Sequence, residues 1–128
     1  VNGDNLYFVN DSGTSAQLNA AAGSSTAYNS FTANYTVTTD HDIMGIVTTG
    51  SAITASLASA ATYAAGQRFI FKDVSGSCSG SGHIVISASQ NHVGQNIDGQ
   101  GIVKIQTGHG AVTLASDGVA NFYIVSTN

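Results

Sequence analysis

The chain of 128 residues has no glutamate, no proline and no tryptophan, one cysteine, and only three basic side chains. Each shortage excludes something. With Cys78 as the only thiol, no disulfide can form within the chain. Arg68, Lys72 and Lys104 face seven aspartates, so the net charge is −4 and no basic patch can form. Nucleic-acid binding by phosphate neutralisation is therefore close to excluded. No apolar run is long enough to span a bilayer as a helix, and no basic leader precedes an apolar stretch. The P-loop, the dinucleotide fingerprint and the G-x-S-x-G elbow are all missing. The chain begins at Val1 without an initiator methionine and reads as an excerpt, the end of a longer protein.

What remains is a neutral, hydrogen-bonding composition around a substantial apolar fraction. Hydrophobic residues make up 42% and charged ones 8%, which argues for a folded chain rather than a disordered one. The length suits one domain, residues 1–128, with an N-terminal arm, first strand and loop over 1–34 and a main β-sandwich over 35–128. The arm holds one apolar run, Leu6-Tyr7-Phe8-Val9, and then a weakly patterned stretch from Asp11 to Asn34. From Tyr35 onward, short runs rich in Val, Ile, Thr, Tyr and Phe alternate with Gly, Ser, Asn and Asp clusters. They predict strands at Tyr35–Thr39, Ile43–Thr48, Ala52–Leu57, Arg68–Val74, His83–Ala88, Ile102–Thr107, Ala111–Ala115 and Ala120–Ser126. Strand starts about ten residues apart point to an all-β sandwich or barrel. Ser56–Ala65 is the only stretch with helical character, and one turn or a bent loop fits it equally well.

Several predicted strands are apolar on both faces. Phe69 and Phe71 oppose Ile70 and Val74, Val103 and Ile105 oppose Ile102, and Phe122 and Ile124 oppose Tyr123 and Val125. A two-layer sandwich buries one face of each strand, so the second face calls for a neighbouring subunit.

Chemistry-bearing residues are few. Asp40-His41-Asp42 sets an imidazole between carboxylates, as a general base or a pair of metal ligands would require. Adjacent strand residues point to opposite faces, however, and a turn before Ile43 is the plainer reading. His92 lies in the run Gln90-Asn91-His92-Val93-Gly94-Gln95-Asn96, and His109 lies between glycines in a predicted hairpin turn. Asn91, His92, Gln95, Asn96 and His109, with Asp40, His41 and Asp42, form the candidate ligand-binding set, each weighed against an ordinary loop role. No spacing marks a metal site, no catalytic group stands out, and no cofactor is called for. Neutral amides, hydroxyls and imidazoles suit glycans, and Tyr7, Tyr28, Tyr35 and Tyr63 would stack on sugar faces where exposed. Cys78, inside Ser75–Gly82, reads as an incidental loop thiol in a stretch too flexible and polar to be core.

Landmarks from Tyr35 to Ser126 follow in a characteristic order. They are Tyr35-Thr36-Val37, Gly66-Gln67-Arg68-Phe69-Ile70-Phe71-Lys72-Asp73-Val74-Ser75-Gly76, Ile84-Val85-Ile86, Ile97-Asp98-Gly99, Gly110–Gly118 and Phe122-Tyr123-Ile124. In these the chain resembles a knob domain found at the C-termini of tailed-phage tail fibre, tail spike and tail needle proteins. It departs from that pattern at Leu57-Ala58-Ser59, where a proline is usual, and at Phe122, where tryptophan is common. The resemblance implies a homotrimeric jelly-roll knob, similar in shape to tumour-necrosis-factor-like and viral fibre-head trimers. It further implies a place at the virion tail tip, after assembly in the host cytoplasm, and attachment to a host-surface molecule such as a glycan, without enzymatic activity. A purely structural virion plug and a lectin-like carbohydrate-binding module are the alternatives. A surface-polysaccharide hydrolase working through Asp42 or Asp98 is the minority reading. Lys72-Asp73 and Ser116-Asp117-Gly118 read as strand-end and turn chemistry rather than binding residues.

Overall fold

In the computed structural model the described residues are 7–9, 12–13, 15–17, 26–88 and 93–128. They are almost wholly β. The strands are β1 (Tyr7–Val9), β2 (Ser15–Gln17), β3 (Tyr28–Phe31), β4 (Tyr35–Val37), β5 (Ile43–Ile46) and β6 (Ile53–Leu57). These continue with β7 (Arg68–Asp73), β8 (Ile84–Ser87), β9 (Asn96–Ile97), β10 (Ile102–Ile105), β11 (Ala111–Ser116) and β12 (Asn121–Thr127). All eight predicted strands are present; six are shortened by one or two residues at an end, the strand at Ala111 runs one residue further to Ser116, and the last is shifted by one residue to Asn121–Thr127. In Ser56–Ala65, β6 runs on through Leu57 and a single 3-10 turn follows at Ala60–Thr62.

Two sheets face each other. The larger has the order β3-β5-β7-β11-β12-β9, the smaller β10-β8-β6-β4, and β1 pairs with β2. Successive strands from β3 to β8 alternate between the sheets, and like-numbered neighbours stack in parallel: β3 on β5 on β7, and β4 on β6 on β8. The chain thus winds as a flattened coil. The last part of the chain then adds β10 antiparallel to β8, and β11 and β12 antiparallel beyond β7. A jelly roll is built from antiparallel neighbours. The expected sandwich is therefore present, but its parallel winding differs from jelly-roll connectivity. The physical reason lies in the short loops, such as Thr32-Ala33-Asn34, which cross from one sheet to the other instead of folding back as hairpins.

Alternation of buried and exposed positions builds the core. Ile53, Ala55 and Leu57 of β6, Phe69 and Phe71 of β7, Ile84 and Ile86 of β8, and Val112 and Leu114 of β11 point inward. Met44, Ile46 and Phe122 complete it. Tyr63 sets its ring edge-on to Phe69 and Phe122 at centroid distances of 4.7 and 5.8 Å. Its hydroxyl donates to the Val37 carbonyl at 2.7 Å and accepts the Ala58 N–H at 2.9 Å, so the phenol tip is satisfied inside the core. Tyr63 is therefore no sugar-stacking residue.

Two further expectations are corrected. Cys78 is buried within the hydrophobic core cluster rather than loose in a loop. The segment Gly108-His109-Gly110 is no hairpin, because β10 belongs to the smaller sheet and β11 to the larger. A two-residue hairpin-type turn lies instead at Ile97–Gln100, closed by reciprocal backbone bonds of 2.7 and 2.8 Å. There Asp98 and Gly99 both take positive φ, at 46° and 80°, as a type I′ turn demands.

Candidate functional site

The parallel winding separates the loops into two groups, one at each end of the sandwich. At one end lie the Thr38–Asp42 turn, the segment after β6, and the approach to β9. Gln67 Nε2 donates to the Thr39 carbonyl at 2.9 Å, and the Gly66 N–H to the Ser116 carbonyl at 2.7 Å, which ties these loops together. At the other end, the loop after β7 meets the β10–β11 crossing.

Asp40-His41-Asp42 forms a turn, as the plainer reading of the sequence held. The His41 N–H donates to the Thr38 carbonyl at 3.2 Å, and the Thr38 N–H returns a bond to His41 Nδ1 at 3.1 Å. The His41 ring stands edge-on to Phe31 and Tyr35, whose own rings stack at 3.6 Å and 8° across the mouth between β3 and β4. The buried Tyr35 hydroxyl has no hydrogen-bond partner among the described residues, and burial pushes its pKa well above the phenolic range. Asp42 Oδ2 accepts the Ala27 N–H at 2.9 Å, so this carboxylate fixes the entry to β3. Asp40 is exposed.

Gln95 and Asn96 do structural work. Gln95 is buried; its Oε1 accepts the Ala60 N–H at 2.6 Å, and its Nε2 donates to the Ala58 and Ala88 carbonyls at 2.9 and 3.1 Å. All of the amide's capacity toward these three backbone segments is in use, so Gln95 is withdrawn from the ligand set. Asn96 Oδ1 accepts the Gly99 N–H at 2.9 Å and braces the type I′ turn. Asn91 and His92 lie outside the described residues.

His109 takes φ 59° and belongs to a different network. Asp73, at the end of β7, is fully buried and gathers five donors. Its Oδ1 accepts the Ser75 N–H at 3.0 Å, the Ser75 hydroxyl at 2.6 Å and the Gly76 N–H at 3.2 Å. Its Oδ2 accepts the Cys78 N–H at 3.1 Å and the His109 N–H at 3.0 Å. Lys72 Nζ donates to the His109 carbonyl, and the His109 ring lies against Gly76, where a β-carbon would collide with it. Burial alone would push the Asp73 carboxyl up. The bonds from Ser75, Cys78 and His109 outweigh it and hold the pKa at about 2. Asp117 plays the matching part in the turn before β12, accepting the Val119, Ala120 and Asn121 N–H groups at 2.8, 2.9 and 3.0 Å, and its pKa is also held at about 2.

The six described candidates therefore do not converge. β5, which follows the Asp40–Asp42 turn, and β9, which contains Asn96, stand four strand spacings apart in the larger sheet, about 19 Å. His109 lies near the far end of β7 from the residues that pair with Asp42. Of the described members of the set, Asp40 and His109 are exposed, while His41, Asp42 and Asn96 are half-buried, His41 with its ring against Phe31. Tyr28, named from the sequence, is exposed on the outer face of the larger sheet with its ring over Gly45, and Tyr123, which sequence reasoning did not name as a binding residue, is exposed on the same face four strand spacings away. Among the described residues no group of three or more His, Cys or Asp side chains is placed to hold a metal ion. No helix among them is long and apolar enough to cross a membrane. In comparisons with known proteins, no family model matches the chain and no curated protein matches its sequence.

Proposed function

We propose that the chain is a homotrimeric knob at the tip of a tailed-phage tail fibre, spike or needle, and that it attaches the virion to a host-surface glycan. The observation that carries this reading is the outer face of the larger sheet. Ile43, Ile70 and Thr113 lie in one register row across β5, β7 and β11, with Ala111 and Ala115 on either side and Tyr123 opposite Ala115. Tyr123 and Val125 leave 50% and 48% of their surface uncovered. Arg68 lies opposite Ala115 and Lys72 opposite Ala111, so the apolar middle of this face, on strands whose other side already forms the core, is flanked by two cations, as the rim of an interface is.

The role is non-enzymatic. Its binding groups are the neutral hydrogen-bonding loops and exposed aromatic rings, with Asp40, His41 and Tyr28 as the contact residues best placed to reach a sugar. Three weak sites on one tip raise avidity without any tight single contact. Light scattering on a size-exclusion column tests the assembly: a mass three times the 12.9 kDa chain supports the trimer, and a mass of one chain overturns it. A glycan array tests attachment. Reproducible hits support it, and a blank array on a confirmed trimer favours a structural plug.

A further inference from the structure

Where β5 and β7 begin, the outer face of the larger sheet opens into a cleft of about 320 Å3, lined among the described residues by Thr26, Asp42, Arg68 and Ile70. That volume lies near the lower end of the range in which proteins hold small ligands, about 300–1,000 Å3. Its walls follow from the parallel winding. Ile43 pairs with Ile70 in register, and the Ile70 N–H donates to the Asp42 carbonyl at 2.8 Å, so Asp42 stands beside β7. Arg68, two residues before Ile70 on the same strand, points to the same face. The Asp42 side chain in turn holds the Ala27 N–H at 2.9 Å, which fixes the chain next to Thr26 at the third wall.

The charges in this cleft are unspent. Arg68 is one of only three basic side chains, yet its exposed guanidinium makes no hydrogen bond or ion pair among the described residues. It does not pair with Asp42, although both line the cleft. Asp42 Oδ2 is taken by Ala27, and Oδ1 has no partner among the described residues. A bare anion is a poor occupant because Asp42 repels it, and a cation is poor because Arg68 does. A neutral ligand whose neighbouring groups both donate and accept satisfies both walls. Vicinal sugar hydroxyls do this: one oxygen accepts from the planar Arg68 fork while the next donates to Asp42. The Thr26 hydroxyl adds a third partner, and Ile70 offers an aliphatic surface to the C–H side of a pyranose ring.

We propose that this cleft binds a neutral hexopyranose unit of a glycan, held between Arg68 and Asp42 over Ile70. The inference rests on the glycan attachment proposed above and names the sugar class and the residues that select it. Arg68 is also a rim residue of the face proposed to join the copies, so the sites fall at the borders between subunits.

The test is saturation-transfer NMR on the full chain. Methyl glycosides of glucose, galactose and mannose serve as neutral probes, and N-acetylneuraminic acid as an anionic one. Saturation of at least one neutral glycoside, and weaker saturation of the acid, is the expected result. Arg68→Lys keeps the charge but loses the fork. Asp42→Asn keeps an acceptor for the Ala27 N–H but replaces the other oxygen by an NH2 donor. Each should weaken neutral-sugar binding about tenfold, as loss of one charge-assisted hydrogen bond does, with mass and unfolding midpoint unchanged. Lys104→Gln, on edge strand β10 of the smaller sheet, should bind as wild type does. Because Arg68 is exposed and unbonded, Arg68→Lys reads the site even where Asp42→Asn disturbs the entry to β3. Neutral-sugar binding of wild-type strength in Arg68→Lys overturns the site and leaves glycan attachment standing. Preference for the acid overturns the ligand class. Silence from every monosaccharide also overturns the site, and a blank glycan array beside it extends that failure to attachment itself.

Discussion

The carboxylate of Asp73 accepts the backbone N–H of His109 at 3.0 Å, across 36 residues of chain. This bond joins the loop after β7 to the crossing from β10 to β11, and the same carboxylate holds Ser75, Gly76 and Cys78. Asparagine has the same shape but only one acceptor oxygen, so Asp73→Asn would turn an NH2 group toward backbone donors. Leaving buried N–H groups unpaired costs about 1–3 kcal/mol each. Asp73→Asn should therefore lower stability by about 3 kcal/mol in urea unfolding, with the m-value unchanged. A loss below about 1 kcal/mol would mean that the network contributes little.

The same group sets a direction for pH dependence. The Asp73 carboxyl sits at about 2 in the folded chain, against an ordinary value of 3.8. A carboxylate depressed on folding contributes stability that is fully present above its unfolded value and is lost as pH falls through its folded one. Asp117, also at about 2, acts in the same sense. Unfolding midpoints should hold steady from pH 7 to about 4 and fall between about 4 and 2. In Asp73→Asn the fall should be shallower, and an equal slope in both proteins would assign the acid transition to other groups.

Much of the architecture was legible because period-2 alternation directly reports a half-buried strand. Phe69 and Phe71, or Val112 and Leu114, can be read off without coordinates. β3 was hidden because its inward positions are Asn29 and Phe31, and a polar residue at one of them erases the pattern. β9 is two residues long and leaves no period at all. Parallel winding was illegible for a different reason: alternation says which face is buried, not which way a neighbour runs. The candidate site suffered from chemical ambiguity. An amide such as Gln95 serves a ligand or three backbone segments equally well, and those segments, at Ala58, Ala60 and Ala88, are distant in sequence. Asp73 was recognised as a strand-end residue, but its partner His109 could be found only once β7 and β11 were paired.

Tyr63 offers a cleaner dissection of the core. Its ring packs on Phe69 and Phe122 while its hydroxyl bridges Val37 and Ala58. Tyr63→Phe keeps the ring and removes the bridge, leaving a buried carbonyl and a half-buried N–H without that partner. The expected loss is about 1–2 kcal/mol in thermal or urea unfolding. Tyr63→Leu, which also removes the edge-on ring contacts, should lose more. Equal stability of wild type and Tyr63→Phe would show that water replaces the hydroxyl and that the ring alone matters.

Cys78 should behave as a core residue despite its glycine- and serine-rich surroundings. Only 6% of its surface is exposed. Burial pushes the thiol pKa up, and the negative charge of Asp73 pushes in the same direction. Since the thiolate is the reacting species, both effects suppress modification, and access adds a further barrier. At pH 8 a thiol-specific reagent should label the native chain about a hundredfold or more slowly than the urea-unfolded chain, at a rate set by local opening. Asp73→Asn removes the charge and loosens the Cys78 N–H, so labelling should accelerate in that variant. Rapid native labelling would mean instead that the loop from Ser75 to Gly82 opens freely in solution and that the Asp73 network does not hold it closed.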